Sequence, residues 1–426
     1  MNAIAIWRGV NMLNMIILTN EYPYGSQETF LETEVQYYQK LDRVIIFPIN
    51  NSGSKVVRSV PSNFTVVNTK SINKAIPIFY YRDICLEKYV LLNKFGFKRI
   101  VLEGDIFNEM NDFYKIAYYK SLSIAHQLHK MGIQKKDRLV IYSYWMREHA
   151  LIAAFLKRRF PNSKLVTRCH RYDIYEEAAE NSYLPFRRLI LNTFDLICPI
   201  SNDGKKYLAH NYGEVRARIK VFRLGVESKY KPYYRNDDRN VKLKVISCSN
   251  LYPVKRIDRI IDALSEINDI EIEWHHFGDG ILEKGLRALC ERKLVNRNVK
   301  WYFEGRVSNK EMLSYYEKEQ PHILINTSES EGIPVSMMEA MSYGIPVVAT
   351  NVCGVNEIVS DQNNGFLLDA DFRTEQLVDR IQRIRYMSEN DYLRLKKNAY
   401  MIYQKRYNAE LNYKEFVNQL LKMYKD

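Results

Sequence analysis

Two doubly wound α/β domains, each with helices on both faces of a parallel sheet, are the architecture this sequence predicts. Three observations lead there. Short apolar, β-branched runs of strand length alternate with amphipathic helical patterns nearly throughout. The 426 residues exceed the size at which a single hydrophobic core stops growing. A polar stretch from Glu227 to Val241, rich in Tyr, Lys, Arg, Asn and Asp and containing Pro232, shows no period of 2 or 3.6 and separates the two strand-bearing halves.

Residues 1 to 11 read as a loose extension before the first strand. In the first half the strands are expected at Met15–Thr19, Arg43–Pro48, Arg138–Ser143, Lys164–Arg168, Leu196–Ile200 and Lys220–Leu224. The stretch from about 71 to 131 is helical in pattern and longer than one crossover needs, so it reads as an insertion. In the second half strands are expected at Leu243–Ser247, Glu271–Phe277, Val299–Phe303, His322–Asn326 and Pro346–Thr350. The expected division is a first domain over 1–228, a linker over 229–241, a second domain over 242–406 and a terminal helix over 407–426.

Lys and Arg exceed Asp and Glu by 63 to 50, a net charge of +13, which suits an anionic partner such as a nucleotide, a phospholipid surface or a lipid-linked pyrophosphate. A solvated surface explains it equally, because the basic residues are spread along the chain. No nucleic-acid recognition module or concentrated basic face is visible, so nucleic acid is not expected as a partner. The six cysteines form no C-x-x-C pair or metal spacing and are expected to be buried thiols in a reducing compartment. No run approaches the length of a membrane span, and no signal-peptide apolar region precedes Arg8, so a cytoplasmic location is expected.

In open parallel sheets ligands bind beyond the carboxyl ends of the strands, so the segments after each strand carry the chemistry. Leu243–Ser247 is followed by S-N-L-Y-P-V-K-R-I-D, entering a helix whose Ile257, Ile260, Ile261 and Leu264 are spaced for one buried face. Lys255 and Arg256 are expected in its first turn, where cations oppose the helix dipole and a nearby anion would account for them. Surface tolerance is the other reading. The strand Glu271–Phe277 ends in F-G-D-G, where Gly278 and Gly280 admit a ligand close to the backbone or simply make the turn. After His322–Asn326 comes T-S-E-S-E-G-I-P-V-S-M-M-E, with Pro334 placed for the first helical position and Gly344 for the helix end. Gly332 and the free amides of this helix start make an anion site. Glu339 lies roughly 8 Å further along the axis, the reach from a phosphate at the helix mouth to a ribose. A carboxylate accepting two hydroxyl hydrogen bonds suits a sugar diol. Taken singly, either Glu331 or Glu339 is as well explained as a surface acid.

The ordered set S-x-L-x-x-x-K-R-x-D, F-G-D-G, E-G-R, E-x7-E, G-I-P-V-V-A-T, G-V-N-E-I-V and N-G-F-L-L resembles the retaining GT-B glycosyltransferases of family four (glycosyl transferases group 1), which include many bacterial surface-polysaccharide enzymes. The resemblance implies two Rossmann-like domains facing across a cleft, the donor nucleotide on the second and the acceptor mainly on the first. It implies no metal and no cofactor besides the nucleoside diphosphate sugar itself. By resemblance Lys255 neutralises the leaving diphosphate, Glu331 contacts the transferred sugar, Glu339 binds the ribose hydroxyls, Gly332 and Ile333 line the donor, and Arg306 and Val307 lie near the base. One position departs. Asn250 stands where relatives commonly carry an arginine; it can hydrogen-bond a phosphate oxygen but cannot neutralise it, and Arg256 is the nearest substitute cation.

In the first domain N-E-Y-P-Y-G-S-Q-E-T-F takes the place of a cleft-lining loop in related enzymes, although Gly25 and Ser26 are also explained as a bend and a helix cap. Trp145 can face a sugar or the core. Arg168, His170 and Asp173 match an R-x-H-x-x-D pattern of relatives, with His170 suited to a sugar hydroxyl or the oxocarbenium-like centre. Ser201, in P-I-S-N-D-G, and Arg223 to Val226 match further landmarks that shape the cleft wall. The amphipathic segment Leu411 to Tyr424 resembles the terminal helix that returns to the first domain.

The expected function is retaining transfer of a hexose-type sugar to a hydroxyl of a glycan or lipid-linked glycan in surface polysaccharide synthesis, such as capsule or exopolysaccharide, with peripheral association at the cytoplasmic membrane face compatible with the charge. The alternatives are a GT-B epimerase or hydrolase, and a catalytically weak nucleotide-sugar-binding scaffold, for which Asn250 speaks.

Overall fold

The computed structural model describes residues 13–25, 28–50, 57–69, 81–102, 105–230, 232, 238–295 and 298–425. The chain separates into two compact units, one of Met1–Leu224 together with Asn412–Asp426, the other of Gly225–Leu411.

In the first unit β1 (Asn14–Thr19), α1 (Thr29–Val35), β2 (Arg43–Pro48) and β3 (Phe64–Val66) precede the long helices α2 (Tyr81–Leu102) and α3 (Asp105–Lys130). Then come β4 (Leu139–Ser143), α4 (Glu148–Arg159), β5 (Lys164–Cys169), α5 (Arg171–Ile174), α6 (Arg187–Thr193), β6 (Leu196–Pro199), α7 (Asn202–Tyr212) and β7 (Arg218–Ile219). The strands pair in parallel in the order β3-β2-β1-β4-β5-β6-β7. Alternate side chains leave opposite faces of a strand, and both faces here are covered. Ile16 and Leu18 of β1, Ile45 and Phe47 of β2, and Leu139 and Ile141 of β4 join the core shared with α2, α3 and α4. Their neighbours Met15, Ile17, Val44, Ile46, Val140 and Tyr142 join the opposite core with Leu31 and Val35 of α1.

In the second unit β8 (Leu243–Cys248), α8 (Ile257–Glu266), β9 (Ile272–Phe277), α9 (Glu283–Lys293), β10 (Val299–Gly305), α10 (Asn309–Glu319), β11 (Ile323–Asn326), α11 (Val335–Ser342) and β12 (Val347–Thr350) alternate as expected, and β13 (Gly365–Leu368) adds a strand that the sequence pattern does not predict. They are followed by α12 (Thr374–Tyr386), α13 (Glu389–Ile402) and α14 (Ala409–Lys425), the last of which joins the first unit from Asn412 onward. The sheet is parallel in the order β10-β9-β8-β11-β12-β13. The evenly spaced Ile257, Ile260, Ile261 and Leu264 are all buried on its core.

Three sequence expectations are corrected. The strand expected at Lys220–Leu224 is instead the short β7, beyond which only the Lys220 and Phe222 amides continue to bond the Ile197 and Pro199 carbonyls. The edge position leaves that segment one-sided. The stretch read as a linker is partly built into the second unit: Arg239 is buried, with its guanidinium 3.8 Å from the Tyr392 ring centroid and donating to the Met387 carbonyl at 3.0 Å. Of the cysteines, Cys169, Cys198 and Cys290 are buried, Cys248 and Cys353 half-buried, and Cys85 is exposed on α2. No described helix is long and apolar enough to cross a membrane.

Candidate functional site

In the second unit the strand order reverses between β8 and β11, which pair through Val245 with Ile323 and Ile246 with Leu324. Such a reversal is where an open parallel sheet leaves a crevice beyond its carboxyl ends. The two loops that leave these strands are bonded together: the Thr327 hydroxyl donates to the carbonyls of Lys255 at 3.1 Å and Arg256 at 2.9 Å, and the Glu329 amide donates to the Val254 carbonyl at 2.8 Å. This brings the Lys255 ammonium onto the carboxylate of Glu331, forming an ion pair. The Ser328 hydroxyl donates to the same carboxylate oxygen at 2.6 Å. Both side chains are mostly buried, at 21% and 12% exposure, so neither charge is well matched by water alone.

The local backbone differs from expectation. Helix α8 starts at Ile257; Lys255 closes a single 3₁₀ turn begun by Pro253, and Arg256 follows in a left-handed conformation with φ 48°. Arg256 is thereby turned away. Its Nε donates to the Thr327 carbonyl at 2.8 Å and its guanidinium lies 5.4 Å from the Phe372 ring, so it is not a second phosphate cation beside Lys255. Asn250 is exposed at the start of the same loop. Helix α11 starts one residue later than expected, with Pro334 as its extended N-cap. Its end is closed by Gly344 at φ 70°, with the Ile345 amide reaching back to the Ala340 carbonyl at 3.0 Å. Gly332 is half-buried and Ile333 buried before the helix start.

Glu339 projects from the middle of α11 and is 9% exposed. Burial pushes its carboxyl up to about 7, against the opposing effect of a hydrogen bond donated by the Asn309 amide. Asn309 opens α10, whose start is fixed by reciprocal bonds between Ser308 and Glu311. Arg306 is exposed and Val307 half-buried in the approach to that helix. Glu339 also raises the thiol of Cys248, which burial pushes up to about 12.

Gly278 and Gly280 make room for the backbone of a neighbouring loop. A Cβ on Gly278, at φ 135°, would lie 1.9 Å from the Ser249 carbonyl oxygen, and one on Gly280 would lie 2.6 Å from that of Leu251. The Asn250 loop is thus clamped from below. A chain of hydrogen bonds holds it from the side: Trp274 Nε1 donates to the Ser247 hydroxyl at 2.9 Å, Ser247 pairs with His276 Nδ1 at 2.8 Å, and His276 Nε2 reaches the Ser249 carbonyl at 3.1 Å. Burial drives His276 down to about 4, so the ring is neutral at physiological pH and its Nε2 proton is donated to that carbonyl.

In the first unit the order reverses between β1 and β4. The loop after β1 is organised by Glu28, whose carboxylate accepts from the amides of Asn20, Glu21 and Tyr22 at 2.8, 2.9 and 2.8 Å and from Trp145 Nε1 at 2.8 Å. Gly25 makes the expected bend at φ 65°; Ser26 lies outside the described residues. The Trp145 ring packs 4.4 Å from the His170 ring, which follows β5. His170 is 8% exposed; its Nδ1 lies 3.8 Å from the Asp173 carboxylate, and both buried ring nitrogens lack a hydrogen bond among the described residues. Three residues expected at the cleft are structural instead. Arg168 is fully buried, paired with Glu34 at 3.0 Å, bonded to the Tyr142 hydroxyl at 2.9 Å and covered by Phe416 at 4.5 Å. Asp173 is fully buried and accepts from the amides of His170 and of Met146, the latter at 2.8 Å. Ser201 caps α7, accepting from the Gly204 amide at 3.0 Å.

Two partnerships escaped the sequence reading. Asn309 was not singled out, although Ser308 and Glu311 form a capping-box signature that marks its helix start. Glu28 is visible in the sequence only as part of a loop string, and its role depends on Trp145 from the loop after β4.

Residues 235–402 match the family described as glycosyl transferases group 1. The chain is 28% identical over 255 residues to a putative colanic acid biosynthesis glycosyltransferase of Escherichia coli, covering 54% of this chain and 61% of that protein. It is 30% identical over 249 residues to an uncharacterized glycosyltransferase of Methanocaldococcus jannaschii, covering 58% and 65%. The matched region thus spans less than two thirds of either relative. Among solved structures, Anabaena HepE in complex with UDP and glucose superposes with a TM-score of 0.65 at 16% identity, covering 96% of this chain and all of that one. The lipopolysaccharide outer core galactosyltransferase WaaB superposes with a TM-score of 0.64 at 15% identity, covering 96% and 99%. The chain accordingly has the GT-B fold of two Rossmann-like domains, and its residues 235–402 are similar to the glycosyl transferases group 1 family.

Proposed function

We propose that this protein is a retaining glycosyltransferase that moves a hexose-type sugar from a nucleoside diphosphate sugar to a hydroxyl of a glycan or lipid-linked glycan in surface polysaccharide synthesis. The observation that carries the reading is the Lys255–Glu331 pair at the strand reversal of the second unit, with Glu339 buried on the adjoining helix. In the donor-free protein each charge of the pair holds the other. On donor binding Lys255 takes the diphosphate and Glu331 is released to a sugar hydroxyl, so the site changes partners without stranding either charge. Glu339 accepts from the ribose hydroxyls in place of the Asn309 amide.

In the transfer step the acceptor oxygen forms a bond to the anomeric carbon as the bond to the diphosphate oxygen breaks. The acceptor proton passes to an oxygen of the departing diphosphate, which leaves on the same face. Lys255 and the free amides before α11 stabilise the charge that develops there, a role that requires no metal. His170, whose buried ring nitrogens make no hydrogen bond and whose ring packs on Trp145, reaches a sugar hydroxyl on the acceptor-bearing unit only once the ring is uncovered. Asn250 leaves one cation fewer than relatives commonly bring, which favours a catalytically weak nucleotide-sugar scaffold as the second reading.

The experiment is a donor screen with a lipid-extract acceptor, read by mass spectrometry, preceded by thermal shift with UDP, GDP and ADP. UDP is the first probe because solved structures of similar fold contain it. Stabilisation by one nucleotide and product formation are expected, with turnover abolished by Lys255→Ala or Glu339→Ala in a folded protein. Full activity in both variants sinks the site. Stabilisation without any product transfers the protein to the scaffold reading.

A further inference from the structure

Three cations gather at the end of the first sheet where β4 and β5 begin, opposite the end from which its crevice opens. Asn162 ties the two strand entries together, its side-chain amide donating to the Lys136 carbonyl at 3.0 Å. With the last turn of α14 these entries enclose a recess of about 360 Å³, lined by Lys136, Arg138, Lys164, Asn162 and Tyr424 and by the buried Leu139. That volume falls at the small end of the range for ligand pockets.

The recess carries more positive charge than its surroundings neutralise. Among the described residues no carboxylate pairs with the side chains of Lys136, Arg138 or Lys164, and none of the three donates a hydrogen bond. The nearby acids are held by backbone amides instead. Asp42 accepts from Leu13 at 2.7 Å, Asp137 from Gln134 at 2.8 Å and Asp195 from Leu165 at 2.8 Å. Burial raises the Tyr424 phenol, Arg138 opposes the shift, and Asp42 and Asp137 add to it. Burial likewise lowers Lys157, Asp195 opposes that shift, and Lys164 and Arg216 add to it, so further cations adjoin the recess on the Lys164 side. Unmatched cations around one concave, partly apolar space focus a positive potential there.

We propose that this recess binds a small, soluble, multivalent phosphate of about the size of pyrophosphate, at a site on the other unit from Lys255. Three cations match a ligand with two or more negative charges, whereas a single carboxylate leaves charge over. The planar fork of Arg138 meets two phosphate oxygens, and the ammonium groups of Lys136 and Lys164 meet the remaining charge. The Arg138 guanidinium also lies 5.8 Å from the Tyr424 ring, so a ligand that holds it in place fastens the end of α14 to the sheet. A nucleic-acid strand fits less well, because the cations converge on one recess and do not line up along a track. The inference stands apart from the proposed sugar transfer.

The test is isothermal titration calorimetry of sodium pyrophosphate into the full chain carrying Lys255→Ala, at constant ionic strength, so that a diphosphate held by Lys255 does not obscure the result. One binding event per chain is expected, together with a rise in melting temperature. In the same background Lys136→Gln with Arg138→Gln, both at exposed positions, is expected to weaken binding by about tenfold or more and to remove that rise, with the ligand-free melting temperature unchanged. No binding of pyrophosphate to the Lys255→Ala chain, or equal affinity with and without the two cations, overturns the proposal. So does binding of a single-stranded oligonucleotide that needs the same two cations while pyrophosphate does not bind, which would assign them to a nucleic-acid backbone.

Discussion

Glu339 is a carboxyl held where water cannot reach it well, with one amide from Asn309 as its partner. Its folded-state value of about 7 stands above the ordinary 4.5. A raised acid contributes stability that is complete below its unfolded value and is lost as pH rises through the folded one. The wild type is therefore expected to lose about 3 kcal/mol between pH 4.5 and somewhat above 7 from this group alone. Glu339→Gln removes that slope. It is expected to raise the melting temperature at pH 8 and to leave it nearly unchanged at pH 5, while weakening nucleotide binding; parallel melting curves for the two proteins across this range would refute the assignment. At this scale Lys255, Glu331 and Glu339 were legible because they fall in two short strings, each following one strand. Asn309 was not, because it reaches Glu339 from a separate loop and only the sheet order makes them neighbours. Arg168 was misread for a related reason. The pattern R-x-H-x-x-D places it at a strand end but does not say which face it leaves, and the face it leaves is filled by Glu34, Tyr142 and Phe416.

Among the elements, the loop after β8 is shaped by contacts that its own residues do not disclose. Gly278 stands at φ 135° with the Ser249 carbonyl where a side chain would begin. Gly278→Ala combines an unfavourable backbone with a collision against a main-chain atom that has no rotamer to change. A loss of more than about 2 kcal/mol is expected by urea denaturation, together with reduced nucleotide binding through displacement of Asn250. Wild-type stability in that variant would show that the two loops are not in contact. Most strands were legible as apolar, β-branched runs because both faces of each sheet are covered. The exceptions have local causes. β3 is a short edge with a half-exposed face, and β13 begins at a glycine within D-Q-N-N-G, which reads as a turn. Gly365 is needed there because a Cβ would lie 2.0 Å from the Val347 carbonyl oxygen of the adjacent strand.

On the scale of the whole molecule, the first unit is discontinuous, leaving off at Leu224 and resuming at Asn412 after the entire second unit. The returning helix places Tyr413, Phe416, Val417 and Leu420 among the most deeply buried side chains, with Phe416 5.2 Å from the rings of both Tyr142 and Phe222. Four such side chains contribute up to about 6–12 kcal/mol by area, comparable with the net stability of an ordinary domain. Removing residues 412–426 also opens the Arg168–Glu34 pair to water. Soluble yield is expected to collapse, and any protein recovered is expected to melt in two steps, with only the upper one responding to nucleotide. A truncated chain with wild-type yield and a single transition would contradict this division.

The same interruption sets the order of events on the ribosome. Phe222 emerges long before Phe416, and the roughly two hundred residues between them take on the order of 10 to 40 s to synthesise. Throughout that interval the nascent first unit carries an uncovered Arg168, Tyr142 and Phe222, while the second unit, continuous from Gly225 to Leu411, acquires every strand it needs. The part of the protein translated first is therefore the last to close, and it is that unit's exposed half-core that a chaperone would meet.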